Sequence, residues 1–249
     1  MKQNIYDNEK FFNEYNEMRN NSSGKNANDL IEMPTLWALL PNLKNKQVLD
    51  LGCGIGNNCK KCVELEASYI LGIDISNKMI DLAKKQTNNC NIEYKVLAME
   101  EISAIDKKFD VVMSSLVMHY ILDFDKLCKD VYNLLNKEGY FIFSQEHPIG
   151  TGTIFNIIRE EKEKFYINDK LYYLISDYNR NGERKRQWIV DDVIKYHRNF
   201  SSIINSLINA KFKIVEIVEP TPNDETLKIM PKYSNQFDRP YFLFIKVRK

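Results

Sequence analysis

Short apolar runs alternate with stretches of helical spacing between Lys46 and Val247. This alternation is typical of successive βαβ units, in which helices join the strands of a parallel sheet. Runs as apolar as FDVVMSSLV and YFIFS favour strands covered on both faces, and therefore helices on each side of the sheet. We expect strands near Val48–Leu51, Tyr69–Asp74, Ile92–Leu97, Phe109–Ser114 and Tyr140–Gln145.

Two apolar stripes of helical spacing lie between these strands. The first begins around Ser76, a suitable N-cap, and is formed by Ile75, Met79, Leu82 and Ala83. The second ends at Gly139, after the turn-like sequence NKEG, and is formed by Leu127, Val131, Leu134 and Leu135. The stripes predict one helix after the second strand and another before the fifth.

The C-terminal part has a different pattern. KFKIVEIVEP and RPYFLFIKVRK are strand-like runs with no helix-length apolar stripe between them. They predict an antiparallel pair at one edge of the sheet, preceded by a helix over Ser201–Ala210.

Two segments interrupt the alternation. Residues 1–45 contain a helical stripe, the polar loop NNSSGKNAND and a second apolar segment around Leu36–Leu40; the stripe is formed by Phe11, Tyr15 and Met18. Residues 148–199 are rich in aromatic and charged residues, and KLYYLISDY and RKRQWIVDDVIKYH predict a small added sheet around an NRNG turn. We expect both segments to cover a pocket.

The domain organisation follows from this pattern. We expect a single domain over residues 1–249, with a core formed by residues 46–147 and 200–249. Residues 1–45 would form a helical cap on it, and residues 148–199 an inserted lid.

Charge and composition narrow the partners. Lys and Arg total 35 against 34 Asp and Glu, so no overall field attracts nucleic acid or a membrane, and a small-molecule substrate is the default. The sequence has no run of about 18 apolar residues and no apolar stretch of a signal peptide at its start. We therefore expect a cytoplasmic protein, either a monomer or a homodimer, and five cysteines fit that reducing compartment.

A glycine-rich loop follows the first predicted strand. That strand ends at Asp50, and the loop before the next helix contains Gly52, Gly54 and Gly56. Such a loop places backbone N–H groups and a positive helix end at the carboxyl edge of the sheet, where nucleotide-like ligands bind. A dinucleotide fingerprint would require a third glycine at position 57, which is Asn57.

The second predicted strand ends in Asp74, about twenty residues farther on. A carboxylate at this place can accept hydrogen bonds from both hydroxyls of a ribose. With no dinucleotide fingerprint, the pattern favours an adenosine ligand without a pyrophosphate.

LDLGCGIG, followed by GIDIS, resembles the first two motifs of class I S-adenosylmethionine-dependent methyltransferases. NAND.IE, SSLVMHY, FSQEHPI, YHRNF and RPYFLF resemble a bacterial group of small-molecule type, similar to methyltransferase type 11, so the resemblance covers nearly the whole chain. It implies a Rossmann-like α/β fold: a mostly parallel seven-stranded sheet with an antiparallel C-terminal strand, helices on both faces and a small α/β lid. It also implies S-adenosylmethionine as cofactor and S-adenosylhomocysteine as product.

The resemblance assigns roles around the cofactor. It places the turn Gly52, Cys53 and Gly54 at the methionine part, with Asp50 beneath it, and Asp74 at the ribose.

The same resemblance places Ile75 and Met79 near the adenine, and Met99 and Glu100 on either side of it. Many relatives carry Asp at the position of Ala98, so adenine recognition here depends on backbone groups or on Glu100.

Ser114, with Ser115 and Leu116, follows the fourth strand, where substrate and cofactor channels meet in the family. The NPPY-type tetrapeptide of many nucleic-acid amino-methyltransferases is absent, which argues against methylation of a base.

The cysteines do not suggest a metal site. Cys59 and Cys62 fall on one helix face with Ile55 and Val63, which is the spacing of core packing against the sheet. We expect these cysteines to be buried, and no metal to be bound.

Three histidines are the candidates for acid–base chemistry: His119, His147 and His197. Each follows a strand or precedes the last helix, near the expected pocket, and each can be a general base or a structural histidine. Glu146 either orients a substrate amine or only ends its strand.

The N-terminal segment supplies candidates that would close over the cofactor. Tyr6 and Tyr15 would place aromatic rings near the sulfonium, and Arg19 a charge near a carboxylate. The alternative is an ordinary amphipathic helix with a solvated arginine.

One basic cluster bears on nucleic-acid binding, namely Arg180, Arg184, Lys185 and Arg186. A hairpin turn with solvated charges explains it better than contacts with RNA phosphates.

These features predict an S-adenosylmethionine-dependent methyltransferase that acts on a small molecule by in-line displacement. Two alternatives remain open, namely an RNA or protein methyltransferase on the same core and a non-catalytic module that binds the cofactor.

Overall fold

The structure is a computed structural model that describes residues 4–21, 24–152, 164–168 and 170–249. Its strands, in chain order, are β1 (Gln47–Leu51), β2 (Tyr69–Asp74), β3 (Ile92–Val96), β4 (Phe109–Ser114), β5 (Leu135–Glu146), β6 (Lys164–Ile167), β7 (Lys170–Tyr173), β8 (Gly182–Trp188), β9 (Val190–His197), β10 (Lys213–Val218) and β11 (Phe242–Arg248). Seven of them form one sheet in the order β10-β11-β5-β4-β1-β2-β3.

Strands β1 to β5 run parallel, and β11 runs antiparallel to both of its neighbours, β5 and β10. The predicted mostly parallel seven-stranded sheet with an antiparallel C-terminal strand is therefore confirmed. Because β11 is reversed, its first residue, Phe242, pairs with Glu146 at the end of β5. The edge that carries the carboxyl ends of β1 to β5 thus also carries the start of β11.

Helices cover both faces of this sheet. They are α1 (Glu9–Asn21), α2 (Met33–Leu39), α3 (Asn57–Glu64), α4 (Asn77–Gln86), α5 (Phe124–Leu134), α6 (Pro148–Thr151), α7 (Phe200–Asn209) and α8 (Asp224–Ile229). Residues of α2, α3 and α4 pack on one face in a cluster that includes Cys59, Cys62 and Ile80. Residues of α5 and α7 pack on the other face, where Val131 and Leu207 are fully buried.

The predicted local signals have different outcomes. Ser76 caps α4 as expected, since its hydroxyl oxygen accepts a hydrogen bond from the N–H of Met79 at 3.1 Å. The predicted helix stop at Gly139 is wrong, because α5 ends at Leu134 and β5 begins at Leu135. The turn-like NKEG lies inside β5, where the register with β4 shifts and Glu138 has φ +64°.

The added strands pair differently from the prediction. KLYY does form a strand, β7, but it pairs with β6 rather than across the NRNG turn. RKRQW lies in β8, which pairs with β9 through a tight turn at Ile189, a residue with φ +62°. The run RKRQWIVDDVIKYH therefore forms parts of two strands rather than one, because the left-handed residue in its middle reverses the chain.

Within residues 4–21 and 24–45, the helical stripe predicted at Phe11, Tyr15 and Met18 lies in α1. A 3-10 turn at Ile5–Asp7 leads into α1, and a π-helical turn at Asn28–Glu32 leads into α2. Phe11 is fully buried, so α1 is anchored by an apolar side chain. None of the helices in the described ranges is long and apolar enough to cross a bilayer.

Candidate active site

A cavity of about 460 Å³ lies at the carboxyl edge of the sheet. Its wall includes the glycine loop after β1, the ends of β2 and β5, the residues that follow β4, and the start of β11. Residues before α2 cover one side, and β9 contributes Lys195. The volume falls in the range of small-molecule sites, which is roughly 300–1,000 Å³.

The glycine loop is held close against β2. The N–H groups of Gly52 and Cys53 both donate to the carbonyl oxygen of Ile73, at 2.8 and 2.9 Å. Gly52 has φ +70°, and a Cβ atom there would lie 2.6 Å from a methyl group of Val117, so a side chain would be strained and crowded. At Gly54 the added Cβ would meet nothing within 4 Å, which leaves the loop open toward the cavity.

Asp74 forms the wall beside this loop. One carboxylate oxygen accepts a hydrogen bond from the N–H of Gly54, and the other accepts one from the N–H of Ser76, both at 2.9 Å. Burial raises the pKa of Asp74, although these backbone donors partly oppose the shift. A carboxylate offers about four acceptor positions, and the N–H of Ile75 is a third backbone donor, so Asp74 retains acceptor capacity for a ligand hydroxyl. This geometry fits a ribose.

Seven more residues of the predicted cofactor set also line the cavity. They are Cys53, Ile75, Met79, Met99, Glu100, Tyr15 and Gly52. Met79 and Met99 are almost fully buried and give this half of the cavity an apolar floor, which suits a purine ring.

Asp50 and Ser114 are placed beneath the cavity rather than on its wall. One oxygen of Asp50 accepts a hydrogen bond from the thiol of Cys59 at 3.4 Å, and the other oxygen has no hydrogen-bond partner. Burial raises the pKa of Asp50 to about 7, and the nearby charge of Asp74 adds to the effect. The Ser114 hydroxyl donates to the carbonyl oxygen of Leu51 at 2.7 Å, which ties β4 to β1.

Aromatic rings of the N-terminal segment form part of the cavity wall. Tyr6 makes edge contacts with Tyr15 and Phe11, with ring centroids 5.3 and 4.9 Å apart. Both tyrosines line the cavity. Arg19 lies in α1, but its side chain is outside the described part of the chain.

Asp7 fixes this segment to the start of α4. Its carboxylate accepts hydrogen bonds from the hydroxyl of Ser76 at 2.6 Å and from the N–H of Lys78 at 3.2 Å. Burial opposes ionisation, but these donors lower the pKa of Asp7. Asn4 adds bonds to Asp7 at 2.8 Å and to the carbonyl oxygen of Ile75 at 3.2 Å. The turn is thus clasped to the helix that follows Asp74.

Glu32 connects the segment before α2 to the centre of the sheet. It is buried, and one of its oxygens accepts hydrogen bonds from the hydroxyls of Ser115, at 2.9 Å, and of Ser144. Ser115 follows β4 and Ser144 lies in β5, so a single carboxylate joins two strands at the cavity wall.

A charged pair occupies the half of the cavity over β4, β5 and β11. The ammonium of Lys195 donates to a carboxylate oxygen of Glu146, and only 7% of the Lys195 side chain is exposed. Burial raises the pKa of Glu146, but Lys195 and His119 lower it more, to about 2. Glu146 is therefore an ionised partner and a weak base at neutral pH.

Of the three candidate histidines, His119 alone is among the cavity-lining residues. Its Nδ1 atom accepts a long hydrogen bond, 3.5 Å, from the N–H of Glu146. The pKa of His119 is lowered to about 3, chiefly by burial and also by the charge of Lys195, against the opposing effect of Glu146. The ring is therefore neutral at pH 7.

His147 and His197 lie behind the cavity with both ring nitrogens in hydrogen bonds. His147 accepts from the N–H of Ile149 at 3.1 Å and lies 2.7 Å from a carboxylate oxygen of Glu219. His197 donates from Nε2 to the carbonyl oxygen of Tyr178 at 2.8 Å, so its Nδ1 accepts from the hydroxyl of Thr151 at 2.7 Å. Burial lowers the pKa of both rings.

The basic cluster is not uniformly solvated, so that interpretation is wrong in part. Arg184 is buried and donates to the carbonyl oxygens of Glu183 and Arg180 at 3.0 and 2.6 Å. Arg186 donates to the carbonyl oxygen of Gly150 at 2.8 Å. Because side chains alternate along β8, Arg184 points inward. Its guanidinium donates there to a carbonyl oxygen of the loop before the strand.

Three site residues escaped the sequence interpretation, and each had a partial signal. Glu32 ends the motif NAND.IE, and Asp7 is an acidic residue shortly before the first helix, which Asn8 caps. Lys195 lies two residues from both Val193 and His197, and all three are buried by the alternation of β9. A lysine at an inward position of a strand indicates an acidic partner nearby, because lysine is rarely buried unless it is paired.

The cysteines pack as predicted. Cys59 and Cys62 are fully buried on the face of α3 that contacts the sheet. No group of three potential metal-ligating side chains occurs within the parts of the chain that the structure describes.

Comparison with known proteins bears directly on this site. A family model described as "Methyltransferase domain" matches residues 49–143, which include the glycine loop, Asp74 and Ser115. An uncharacterized protein of Haemophilus influenzae is 37% identical over 98% of this chain and 96% of its own length. A ubiquinone biosynthesis O-methyltransferase of Pelagibacter ubique is 35% identical over 48% of this chain, and the match spans 50% of that relative's length.

A solved structure extends the match to nearly the whole fold. The S-adenosylmethionine-dependent methyltransferase of Mesorhizobium loti is 32% identical, with a TM-score of 0.80 over 88% of this chain and 97% of that one. The sheet order, the open glycine loop and the position of Asp74 at the cavity wall agree with this relationship. The chain therefore belongs to the class I S-adenosylmethionine-dependent methyltransferases, and S-adenosylmethionine is its cofactor.

Proposed function

We propose that this enzyme methylates a small molecule. The observation that carries the proposal is the covered cavity, in which a nucleoside-binding half around Asp74 continues into a second half around Glu146 and Lys195. The second half is walled by the inserted hairpin and the N-terminal turn, so an acceptor has to enter a pocket and does not lie on an open surface. We further propose that residues 1–249 act as one domain, with the two added segments as covers.

The protein's own residues bind and orient the reactants. When bound, S-adenosylmethionine supplies an electrophilic methyl group on a sulfonium, which an acceptor takes by in-line displacement with S-adenosylhomocysteine as product. Asp74 and the glycine loop would fix the nucleoside, and the aromatic rings of Tyr6 and Tyr15 would exclude water above it. Alignment in a dry pocket supplies much of the acceleration of such a reaction.

The proposal assigns His119 a positioning role rather than that of a general base. With a pKa of about 3 it is a poor proton acceptor at neutral pH, and Glu146, with a pKa of about 2, is no better. His147 and His197 hold other protein groups and support the wall from behind. The favoured acceptor is therefore a nucleophile that reacts without a strong protein base.

The alternatives receive less support from the described residues. An RNA or protein substrate would need a groove leading to the methyl donor, yet Arg184 is buried in its own loop, and the cluster Arg180, Arg184, Lys185 and Arg186 is absent from the cavity wall. A sensor without catalysis would not need a second polar half beside the cofactor half.

Turnover of labelled cofactor tests the proposal. The protein is incubated with methyl-labelled S-adenosylmethionine and a cell extract separated into small molecules, RNA and protein, beside the same fractions without the enzyme. We expect enzyme-dependent label in the small-molecule fraction. Label confined to RNA or protein would establish the first alternative, and binding of cofactor with no transfer to any fraction would establish the second.

A further inference from the structure

The ion pair between Glu146 and Lys195 lies away from the expected nucleoside site. Glu146 ends β5, whereas Asp74 ends β2, and two strands, β4 and β1, lie between them. With a strand spacing of about 4.8 Å, the two ends are about 14 Å apart along this edge of the sheet. The pair is therefore too far from the ribose position to serve it, and it faces the other half of the cavity.

The pair is supplied by two different parts of the chain. Glu146 is at the end of a core strand, and Lys195 is on β9 of the inserted hairpin. About a third of the Glu146 side chain, 33%, remains exposed, whereas Lys195 is nearly covered. The carboxylate thus presents an edge to a ligand while the ammonium stays beside it, and the ring of Tyr120 lies 5.8 Å from that ammonium.

Neighbouring charges do not change this balance. The guanidinium of Arg198 is directed to the carbonyl oxygens of Met118, Ile121 and Leu122. That of Arg186 donates to Gly150. Neither arginine lines the cavity, and His119 is neutral at pH 7 because burial lowers its pKa. In this half the charges of Glu146 and Lys195 are already joined, and the carboxylate of Glu32, which also lines the wall here, accepts hydrogen bonds from the hydroxyls of Ser115 and Ser144.

We propose that the Glu146 and Lys195 pair recognises the methyl acceptor and selects neutral acceptors that carry a hydrogen-bond donor and an acceptor on neighbouring atoms, as an amide or lactam edge does. The inference rests on the proposed function, because it assumes that this half of the cavity holds the acceptor. A lactam edge donates to the carboxylate and accepts from the ammonium without separating the charges. An anion attracted to Lys195 also meets Glu146, and a cation attracted to Glu146 also meets Lys195. Either one therefore has to separate the buried ion pair, which is costly.

Binding of three probes of similar size tests this selection. The probes are quinolin-2-one, which has a lactam edge, 2-naphthoate, an anion, and 2-naphthylmethylamine, a cation. Each is titrated by calorimetry into the 249-residue protein saturated with S-adenosylhomocysteine. We expect quinolin-2-one to bind at least about tenfold more tightly than either charged probe. Equal binding of all three, or a preference for a charged probe, would overturn the inference.

Two variants separate recognition from a purely structural role. In Lys195→Met the carboxylate loses its partner, so the cation should bind about tenfold more tightly than it binds the wild type. In Glu146→Gln the ammonium is released, so the anion should gain by a similar factor. If the pair only fastened the hairpin, both variants would lower the melting temperature without exchanging the preference, and that result would also overturn the inference.

The same titrations keep the two proposals apart. S-adenosylhomocysteine is first titrated alone into the wild type and both variants, and its affinity should be nearly unchanged because the pair lies away from Asp74. Normal binding of S-adenosylhomocysteine with no probe selectivity rejects the inference and leaves the proposed function standing. Transfer of methyl label only to RNA or protein rejects the proposed function itself.

Discussion

At the scale of single residues, burial changes the chemistry of side chains that the sequence presents as ordinary. Asp50 has no exposed surface, and burial raises its pKa to about 7. His119 lies in the cavity wall, and burial lowers its pKa to about 3. The sequence supplied both residues as candidates, but their protonation depends on neighbours such as Cys59 and Lys195, which come from other elements. No local pattern reveals such neighbours.

The raised pKa of Asp50 predicts a pH-dependent stability. Between about pH 4 and pH 7 the folded protein retains a proton that the unfolded chain has lost. The free energy of unfolding therefore falls as the pH rises, by up to about 1.4 kcal/mol per pH unit. Asn mimics the protonated acid, so Asp50→Asn should gain stability relative to the wild type as the pH rises through this window. Urea unfolding at pH 5 and pH 8 measures the difference. A constant difference at both pH values would show that Asp50 is ionised in the folded state.

The neutral state of His119 predicts a simple pH profile. Because its pKa is about 3, it contributes no inflection to kcat at pH values of about 5.5 to 8.5. His119→Asn keeps an acceptor for the N–H of Glu146 and should retain most of kcat, whereas His119→Leu removes that acceptor and should lower it. The profiles are measured with the acceptor identified by methyl labelling. An inflection near pH 6.5 that disappears in His119→Asn would make His119 a general base and contradict the positioning role.

At the scale of elements, the site depends on short connections that periodicity does not describe. Helical spacing and apolar runs located β1 to β5, α4, β10 and β11, and all of these except the largely exposed β10 bury residues in the core. The turn at Ile5–Asp7 and the turn at Ile189 have no such pattern. Hydrogen bonds to α4 fix the turn at Ile5–Asp7, and one left-handed residue fixes the turn at Ile189. Periodicity therefore predicts neither turn.

The clasp between Asp7 and α4 predicts slower exchange of the cofactor. Removing the carboxylate in Asp7→Ala deletes its bonds to Ser76 and Lys78, which should loosen the turn that carries Tyr6. A cap of this kind contributes about 1 kcal/mol, so the dissociation rate of S-adenosylhomocysteine should rise about fivefold. Surface plasmon resonance measures the rate, with Glu9→Ala, an exposed acid in α1, as the matched control. Equal rates for the three proteins would show that the turn does not cover the bound ligand.

At the scale of the whole molecule, the cavity arises where three parts of the chain meet at one edge of the sheet. The carboxyl ends of the parallel strands could be predicted from the sequence, and with them the glycine loop and Asp74. The acceptor half could not, since it combines Glu146 of the core with Lys195 of the insertion, and the pairing of β8 with β9 determines which lysine points inward. The cofactor half is thus local in sequence, and the acceptor half is set by long-range packing.

The most direct measurement is calorimetric titration of S-adenosylmethionine into the wild type, Asp74→Ala and Asp81→Ala. The last is the control, because Asp81 is exposed on α4, whereas Asp74 lies at the cavity wall. Loss of the ribose hydrogen bonds to a buried carboxylate should cost about 3 kcal/mol, and hence weaken binding by more than about a hundredfold. We expect that loss in Asp74→Ala and unchanged affinity in Asp81→Ala. Equal affinity in all three proteins would contradict the assignment of this cavity as the cofactor site.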